Sequence, residues 1–448
     1  MQLNNIKRVY FVGIGGIGMS ALARYFKYLG AEVSGYDRTR TALTQQLEQE
    51  GMFIHYEDSV ALIDRQADIV IYTPAIPKHH QELNYFIDHQ YPLYKRSKVL
   101  GMISRERFTI AVSGSHGKTT VSGMITWILK DSGYDCTAFL GGICTNFHSN
   151  FVIGDNDVLV AEADEYDRSF MRLYPNITVV TAVDSDHLEI YGTQAEVEKA
   201  FIEFGNKTEA GGLMVVKSTL PIIPHLREKV WRYSLNDTTA DLYAKHYDIT
   251  LDGSIVTLSN DIRFTLQYPG IHNIENAVAA VSVALQLGIA PEKISSALNN
   301  FKGIYRRFEK IYSDANTVYI DDYAHHPEEI NMFLKSVREI YKGKKITAIF
   351  QPHLFTRTRD LADGFATSLD LADEVILLPI YPAREEPIKG VTADTILSRV
   401  KNANKQILSK EALLEKVKNS HFDVICTIGA GDIDKLVQPI AEILKSKA

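Results

Sequence analysis

The chain has 448 residues, of which 45% are hydrophobic and 23% charged, and its formal net charge is −7. That length suits about three ordinary domains, and the composition suits a globular chain with several cores. The acidic balance argues against a nucleic-acid or anionic-membrane surface, and no apolar run reaches membrane-spanning length. Cys136, Cys144 and Cys426 form no Cys-x-x-Cys pair, so neither a disulfide framework nor a zinc site is suggested. The N-terminus lacks a signal-peptide core, and a cytoplasmic location is expected.

Residues 7–12 read as a short apolar strand that runs into Gly13-Ile14-Gly15-Gly16-Ile17-Gly18. A helical pattern follows over residues 19–29, with Gly30 as its cap. Residues 32–36 read as a second strand ending at Asp37. Gly13, Gly15 and Gly18 fit the G-x-G-x-x-G fingerprint, and an acidic residue lies about 20 residues further on. A loop of this kind selects a pyrophosphate; a nicotinamide is one way to supply it, and any nucleotide diphosphate is another. Residues 67–72 form a buried-type strand, stopped by Thr73-Pro74-Ala75-Ile76-Pro77. A domain boundary is expected near residues 103–107.

The next stretch organises the whole chain. The apolar residues 110–112 lead into Ser113-Gly114-Ser115-His116-Gly117-Lys118-Thr119-Thr120, then a helical pattern. Strand, phosphate loop and helix follow one another. Glycines admit backbone N–H groups to phosphate oxygens, and the helix start adds unpaired donors and a positive dipole end. Lys118 can reach the outer phosphates, and the Thr119 hydroxyl can ligate magnesium. The loop is shorter than the full phosphate-loop pattern, since Val112 stands where that pattern has glycine.

Residues 158–161 form a strand that runs into Glu162-Ala163-Asp164-Glu165-Tyr166-Asp167. Four carboxylates this close repel one another unless a cation is near, and beside a triphosphate loop magnesium is the economical cation. Residues 178–183 form another strand, ending in Asp184-Ser185-Asp186-His187, whose histidine can complete a metal shell or be structural. Residues 240–268 read as short β segments of an antiparallel insert. His272, Asn273 and Asn276 open a helix, where they either cap it or meet a purine edge. Arg306 and Arg307 suit a carboxylate or phosphate, or plain solvation. A third α/β pattern then runs through strands at residues 317–320, 346–350, 374–378 and 424–428, with polar clusters at several strand ends.

Together these motifs resemble the ATP-dependent Mur ligases of peptidoglycan synthesis, over essentially the whole chain. The resemblance rests on the two glycine loops, Glu162-Ala163-Asp164-Glu165, Asp186-His187, His272-Asn273 with Asn276, and Arg306-Arg307-Phe308. It rests further on Asp321-Asp322-Tyr323-Ala324-His325-His326-Pro327, Gln351-Pro352-His353 and Thr356-Arg357-Thr358-Arg359-Asp360. It implies an α/β chain of three domains. Residues 1–104 would be a Rossmann-like domain for a UDP-sugar. Residues 105–309 would be a central phosphate-loop ATPase-type domain, and residues 310–448 a Rossmann-like domain that binds the amino acid and closes on ATP.

The activity it implies is ATP-dependent amide-bond formation between UDP-N-acetylmuramate and L-alanine, through an acyl phosphate and with Mg²⁺. No nucleic-acid or membrane partner is expected, and the chain is expected to act as a monomer or homodimer. By resemblance, Gly114, Ser115, His116, Gly117, Lys118, Thr119, Thr120, His272, Asn273, Asn276, Arg306 and Asp322 would bind ATP. Thr119, Glu162 and His187 would hold the metal. Gly13, Gly15, Gly16, Ile17, Gly18, Met19, Ser20 and Asp37 would bind the UDP-sugar. Tyr323, His325, Arg357 and Arg359 would serve the amino acid, with Lys118, His325, Arg357 and Arg359 catalytic.

Leu354-Phe355 replaces the Arg-Tyr usual in the family, and Tyr166 stands where serine is usual for alanine addition. The first removes a cation near the third-domain site; Tyr166 opens an alternative acceptor, a murein tripeptide, as in cell-wall recycling. A nicotinamide-dependent oxidoreductase is a further alternative, but it leaves Lys118 and the Glu162 cluster unexplained.

Overall fold

The computed structural model describes residues 3–184, 188–250, 253–383 and 385–447. Asp186 and His187 fall outside them. Three sheets carry the architecture. The first runs Phe53–His55, Glu32–Tyr36, Arg8–Val12, Ile69–Tyr72, Leu93–Lys95, all parallel. Its central strand holds Val9, Tyr10, Phe11 and Val12, each fully buried, as a parallel strand covered on both faces should be. Strand order reverses at this strand, so its carboxyl end, where the first glycine loop begins, borders the crevice in which such sheets take ligands.

Helix Ile17–Tyr28 follows that loop and buries Met19, Leu22, Ala23 and Phe26. It ends in a left-handed Gly30 (φ +86°), with Ala31 N–H donating to the Phe26 carbonyl and Gly30 N–H to that of Lys27. This paired closure needs a residue without a Cβ at the turn.

In the second sheet, Phe108–Ser113 lies between Ile177–Val180 and Val158–Glu162, parallel to both. Beyond Val158–Glu162 comes the hairpin of Thr137–Cys144 and Ser149–Val152. Beyond Ile177–Val180 come Leu213–Lys217, Lys229–Ser234, Leu242–Thr250, Gly253–Leu258 and Arg263–Leu266, making ten strands. The sequence pattern did not show the hairpin, because Gly141-Gly142 and the polar Ser149-Asn150 break the apolar alternation.

The third sheet runs Glu309–Ser313, Val318–Asp322, Val424–Ile428, Ile346–Phe350, Glu374–Leu377, Lys405–Ile407. Only its first pair is antiparallel. Asp321 and Asp322 belong to the strand itself and are buried, where the sequence suggested a strand end.

By contacts the chain divides into two compact units. One is residues 1–246, 257–264 and 275–302, and the other residues 247–256, 265–274 and 303–448. Among the described residues no helix is long and apolar enough to cross a membrane.

Candidate active site

The phosphate loop leaves the strand Phe108–Ser113 through Gly114 (φ +135°) and enters helix Lys118–Asp131 through Gly117 (φ +84°). Both conformations exclude most side chains. A Cβ would stand 2.1 Å from Thr181 Oγ1 at position 114 and 2.7 Å from Asn276 Oδ1 at position 117. The loop is pinned to the neighbouring strand's exit. Ser115 N–H donates to the Ala182 carbonyl (3.0 Å), Asp184 N–H to Ser115 Oγ (2.8 Å), and Thr181 Oγ1 to the His116 carbonyl. His116 Nε2 lies 3.5 Å from Asp184 Oδ2. No side chain caps the helix start, so its first N–H groups face the loop. Thr120 is buried behind it.

The acidic segment surrounds Lys118. Its ammonium donates to the Gly114 carbonyl (2.7 Å) and to Glu165 (2.8 Å). Burial would strip this proton, but the Glu165, Asp164 and Glu162 carboxylates outweigh it and hold the lysine charged. Burial in turn raises the pKa of both Glu165 and Glu162, against the pull of Lys118. Glu162 accepts the Gly141 N–H (3.0 Å) and a hydrogen bond from the Thr119 hydroxyl. Asp164 faces Arg96 at 3.5 Å, and Asp167 faces Lys95 at 3.3 Å. The four carboxylates therefore split: Glu165 is buried against Lys118, Glu162 is held by Gly141 and Thr119, and Asp164 and Asp167 form two outer ion pairs. Two of the three expected metal ligands, Thr119 and Glu162, adjoin; the third, His187, lies outside the described residues.

At the first glycine loop, Gly13 and Ile14 both donate to the Tyr36 carbonyl, at 2.8 and 3.0 Å. Gly15 N–H donates to Asp37 Oδ2 (2.7 Å), and a Cβ on Gly15 would lie 2.7 Å from that oxygen. Asp37 thus shapes the loop. Gly16 precedes the helix without a side-chain cap, and Ile17 opens it. The Met19 and Ser20 side chains are buried, the Ser20 hydroxyl donating to the Ile17 carbonyl and accepting from Asn150. Gly18 makes room for the Arg96 guanidinium, whose Nη1 lies 2.7 Å from where a Cβ would stand.

In the second unit, buried Arg306 donates to Asp321 Oδ2 (2.8 Å) and to the Gly429 carbonyl (2.8 Å). Asp322 accepts the N–H groups of Phe308 (2.6 Å) and Ala324 (2.8 Å). Its pKa is pushed up to about 6 by burial, although Arg307 opposes the shift. Tyr323 presents its ring to Arg306 and Arg307, at 5.5 and 5.3 Å. His325 contacts the Tyr323 carbonyl through Nδ1 (3.1 Å) and donates its backbone N–H to Glu329 (2.9 Å). Its pKa is lowered by burial, with Arg357 and Arg307 adding to the effect and Glu329 opposing it. Arg357 is thus near His325, whereas Arg359 is exposed and paired with Asp360 (2.6 Å). His272 contacts Ser336 Oγ (3.3 Å), and burial with Arg307 lowers its pKa to about 4. Asn273 Nδ2 donates to the Pro269 carbonyl (2.6 Å), a local brace for the helix start.

Sequence reasoning gave Glu165 only a share in a cation-binding cluster and assigned no role to Asp321 or Glu329. One signal was available for each: a buried cation needs a counter-charge, and Lys118, Arg306 and Arg307 have these three.

Two phosphate-type loops on parallel sheets, one with a lysine embedded in carboxylates, define a nucleotide-using α/β chain, and comparison places it more narrowly. Models of the Mur ligase family match residues 8–108 (catalytic domain), 112–284 (middle domain) and 306–431 (glutamate ligase domain). The chain belongs to the Mur ligase family. It is 47% identical, over 456 residues and 99% of each chain, to the UDP-N-acetylmuramate–L-alanine ligase of Flavobacterium johnsoniae. Among solved structures it is similar to the UDP-N-acetylmuramate-alanine ligase of Thermotoga maritima, with TM-score 0.84 and 29% identity over 99% of this chain and 100% of that one. It shares its fold with a murein peptide ligase of Psychrobacter arcticus, with TM-score 0.74 and 24% identity over 98% of both chains.

Proposed function

We propose that this chain joins L-alanine to UDP-N-acetylmuramate at the expense of ATP, in peptidoglycan precursor synthesis. The observation that carries the reading is Lys118, held charged beneath an uncapped helix start by Glu165, Asp164 and Glu162. The whole-length likeness to alanine-adding relatives supports the choice of substrates. Residues 1–104 would take the sugar nucleotide, residues 105–309 ATP, and residues 310–448 the amino acid; the three family-model spans support this division.

The substrate carboxylate attacks the γ-phosphorus, and the bond to the leaving ADP oxygen breaks. The amine then attacks the acyl carbon, phosphate leaves, and the amine nitrogen gives up its proton. Loop N–H groups from residues 114–119 hold the phosphates, and Lys118 balances charge on the transferred group. Thr119 and Glu162 suit an oxygen-seeking cation: the hydroxyl is already drawn to the carboxylate, and burial makes an unneutralised Glu162 costly. Magnesium bound there would neutralise phosphate charge. His325, with Nδ1 tied to the Tyr323 carbonyl and its imidazole kept neutral by burial, leaves Nε2 free to take a proton from the incoming ammonium. Arg357 beside it suits the carboxylate of the amino acid.

The test is phosphate release from ATP and Mg²⁺ with UDP-N-acetylmuramate, adding either L-alanine or the L-Ala-γ-D-Glu-diaminopimelate tripeptide. Release with L-alanine is expected. Release with the tripeptide alone would move the chain to recycling, and no release with either would remove the ligase reading.

A further inference from the structure

Arg96 has no part in the chemistry described so far, yet its surroundings are shaped for it. It is the first residue of helix Arg96–Arg105, where the helix dipole disfavours a cation. Its guanidinium nevertheless packs over Gly18, in the first turn of the helix that follows the first glycine loop. Nη1 lies 2.7 Å and Cζ 3.2 Å from where a Gly18 Cβ would stand. Gly18 has an ordinary helical backbone, and alanine would suit that helix better by about 1 kcal/mol. What glycine supplies there is room for the guanidinium.

The ion pair that Arg96 makes is a loose one. Nη2 stands 3.5 Å from Asp164 Oδ2, beyond the roughly 2.7–2.9 Å of a charge-assisted hydrogen bond. The structural pairs of this chain close tighter: Lys118–Glu165 and Arg306–Asp321 both stand at 2.8 Å. Arg96 also borders a small cavity shared with Ser97, Asp164, Ser169 and Glu162. A guanidinium thus stands between the first glycine loop and the proposed metal carboxylate, about one-fifth exposed, with its forked donors incompletely used.

We propose that Arg96 is a substrate-binding residue that takes an oxyanion of the sugar nucleotide, exchanging Asp164 for it. This rests on the function proposed above. The chemistry recognised is a planar or tetrahedral oxyanion held by two parallel N–H donors. Two parts of the substrate supply one: the pyrophosphate and the carboxylate to be activated.

The experiment is calorimetric titration of wild type, Arg96→Ala and Arg96→Lys with UDP-N-acetylmuramate, with UDP-N-acetylglucosamine (which lacks that carboxylate), and with ADP. Arg96→Ala is expected to weaken UDP-N-acetylmuramate by ~10–100-fold, the usual effect of losing charge-assisted bonds, with Arg96→Lys in between. ADP affinity and melting temperature should stay at wild-type values, and KM for the sugar nucleotide should rise more than kcat falls. Equal weakening of both UDP-sugars would assign the guanidinium to the pyrophosphate, and weakening confined to the muramate would assign it to the carboxylate. Wild-type affinity in Arg96→Ala, or a parallel loss of ADP binding, would overturn the proposal and leave the ligase reading standing. Wild-type protein that binds neither UDP-sugar would overturn that reading and this assignment together.

Discussion

At the scale of single residues the phosphate loop is governed by a buried cation. Lys118 is 15% and Glu165 3% exposed in their side chains, so each is costly without the other. Lys118→Ala is expected to abolish phosphate release while leaving affinity for the UDP-sugar unchanged, because the first glycine loop lies on a different sheet. It should also destabilise the fold by about 3–5 kcal/mol, the cost of stranding buried carboxylates, and denaturant unfolding would measure this. Activity near wild type would remove Lys118 from phosphoryl transfer. Gly141 is the quieter counterpart. Its N–H holds Glu162, and a Cβ there would lie 2.2 Å from Glu162 Oε1. Gly141→Ala is expected to raise the magnesium concentration for half-maximal rate by roughly 10–100-fold, the range seen when an outer partner of a metal ligand is lost. An unshifted magnesium titration would take Glu162 out of the metal shell.

At the scale of elements, the hairpin Thr137–Cys144/Ser149–Val152 matters twice. One strand presents Gly141 to Glu162. The other presents Asn150, whose amide bonds the Ile17 carbonyl and the Ser20 hydroxyl and accepts from Arg24. The hairpin therefore braces the start of the helix that follows the first glycine loop. Asn150→Ala should cost about 1–3 kcal/mol through unpaired buried groups, and KM for the UDP-sugar should rise more than KM for ATP. Equal changes in both would mean general destabilisation only.

The first sheet also contains a buried hydrogen-bonded chain around Tyr10. The Tyr10 hydroxyl lies 2.7 Å from both His55 Nε2 and Glu82 Oε2, Glu82 Oε1 accepts the Ser59 N–H, and His55 Nδ1 meets the Glu57 carbonyl. Tyr10 has one proton for two neighbours, so one of them must donate. Burial pushes Glu82 up to about 7 and lowers His55, which favours a protonated Glu82 and a neutral imidazole below about pH 7. Because the folded carboxyl binds its proton more tightly than the unfolded one, this group's contribution is full below pH ~4.5. It is lost as pH rises to about 7, roughly 3 kcal/mol in all. Glu82→Gln keeps every bond of the chain without the titration. Its denaturation midpoint should exceed wild type at pH 8 and match it at pH 4.5. Parallel midpoints across that range would mean that Glu82 does not carry the proton.

At the scale of the whole molecule, three mostly parallel sheets each end their strands in polar loops, and the described site residues stand at or just beyond a strand's carboxyl end or on the helix that follows, except Arg306, which precedes the strand Glu309–Ser313. Much of this was legible. The strands at residues 346–350 and 424–428 appear with the bounds their apolar runs suggest, because a strand buried on both faces writes its length into consecutive residues. The glycine loops were legible for a local reason too: positive φ at Gly13, Gly114 and Gly117 is a requirement on one residue at a time. The hairpin Thr137–Cys144/Ser149–Val152 was not, since its glycines and polar residues are chosen for Glu162 and for Asn150's partners, not for strand propensity.

By itself, then, the sequence determined the α/β class, both phosphate-type loops and the family chemistry, all of which rest on neighbours in the chain. Only the tertiary structure decided that Glu165 rather than Asp164 neutralises Lys118, that Asp37 holds the Gly15 N–H, that Arg96 lies over Gly18, and that burial raises the pKa of Glu82. Such pairings depend on distance and on exclusion of water across segments far apart in the chain, and no local pattern encodes either.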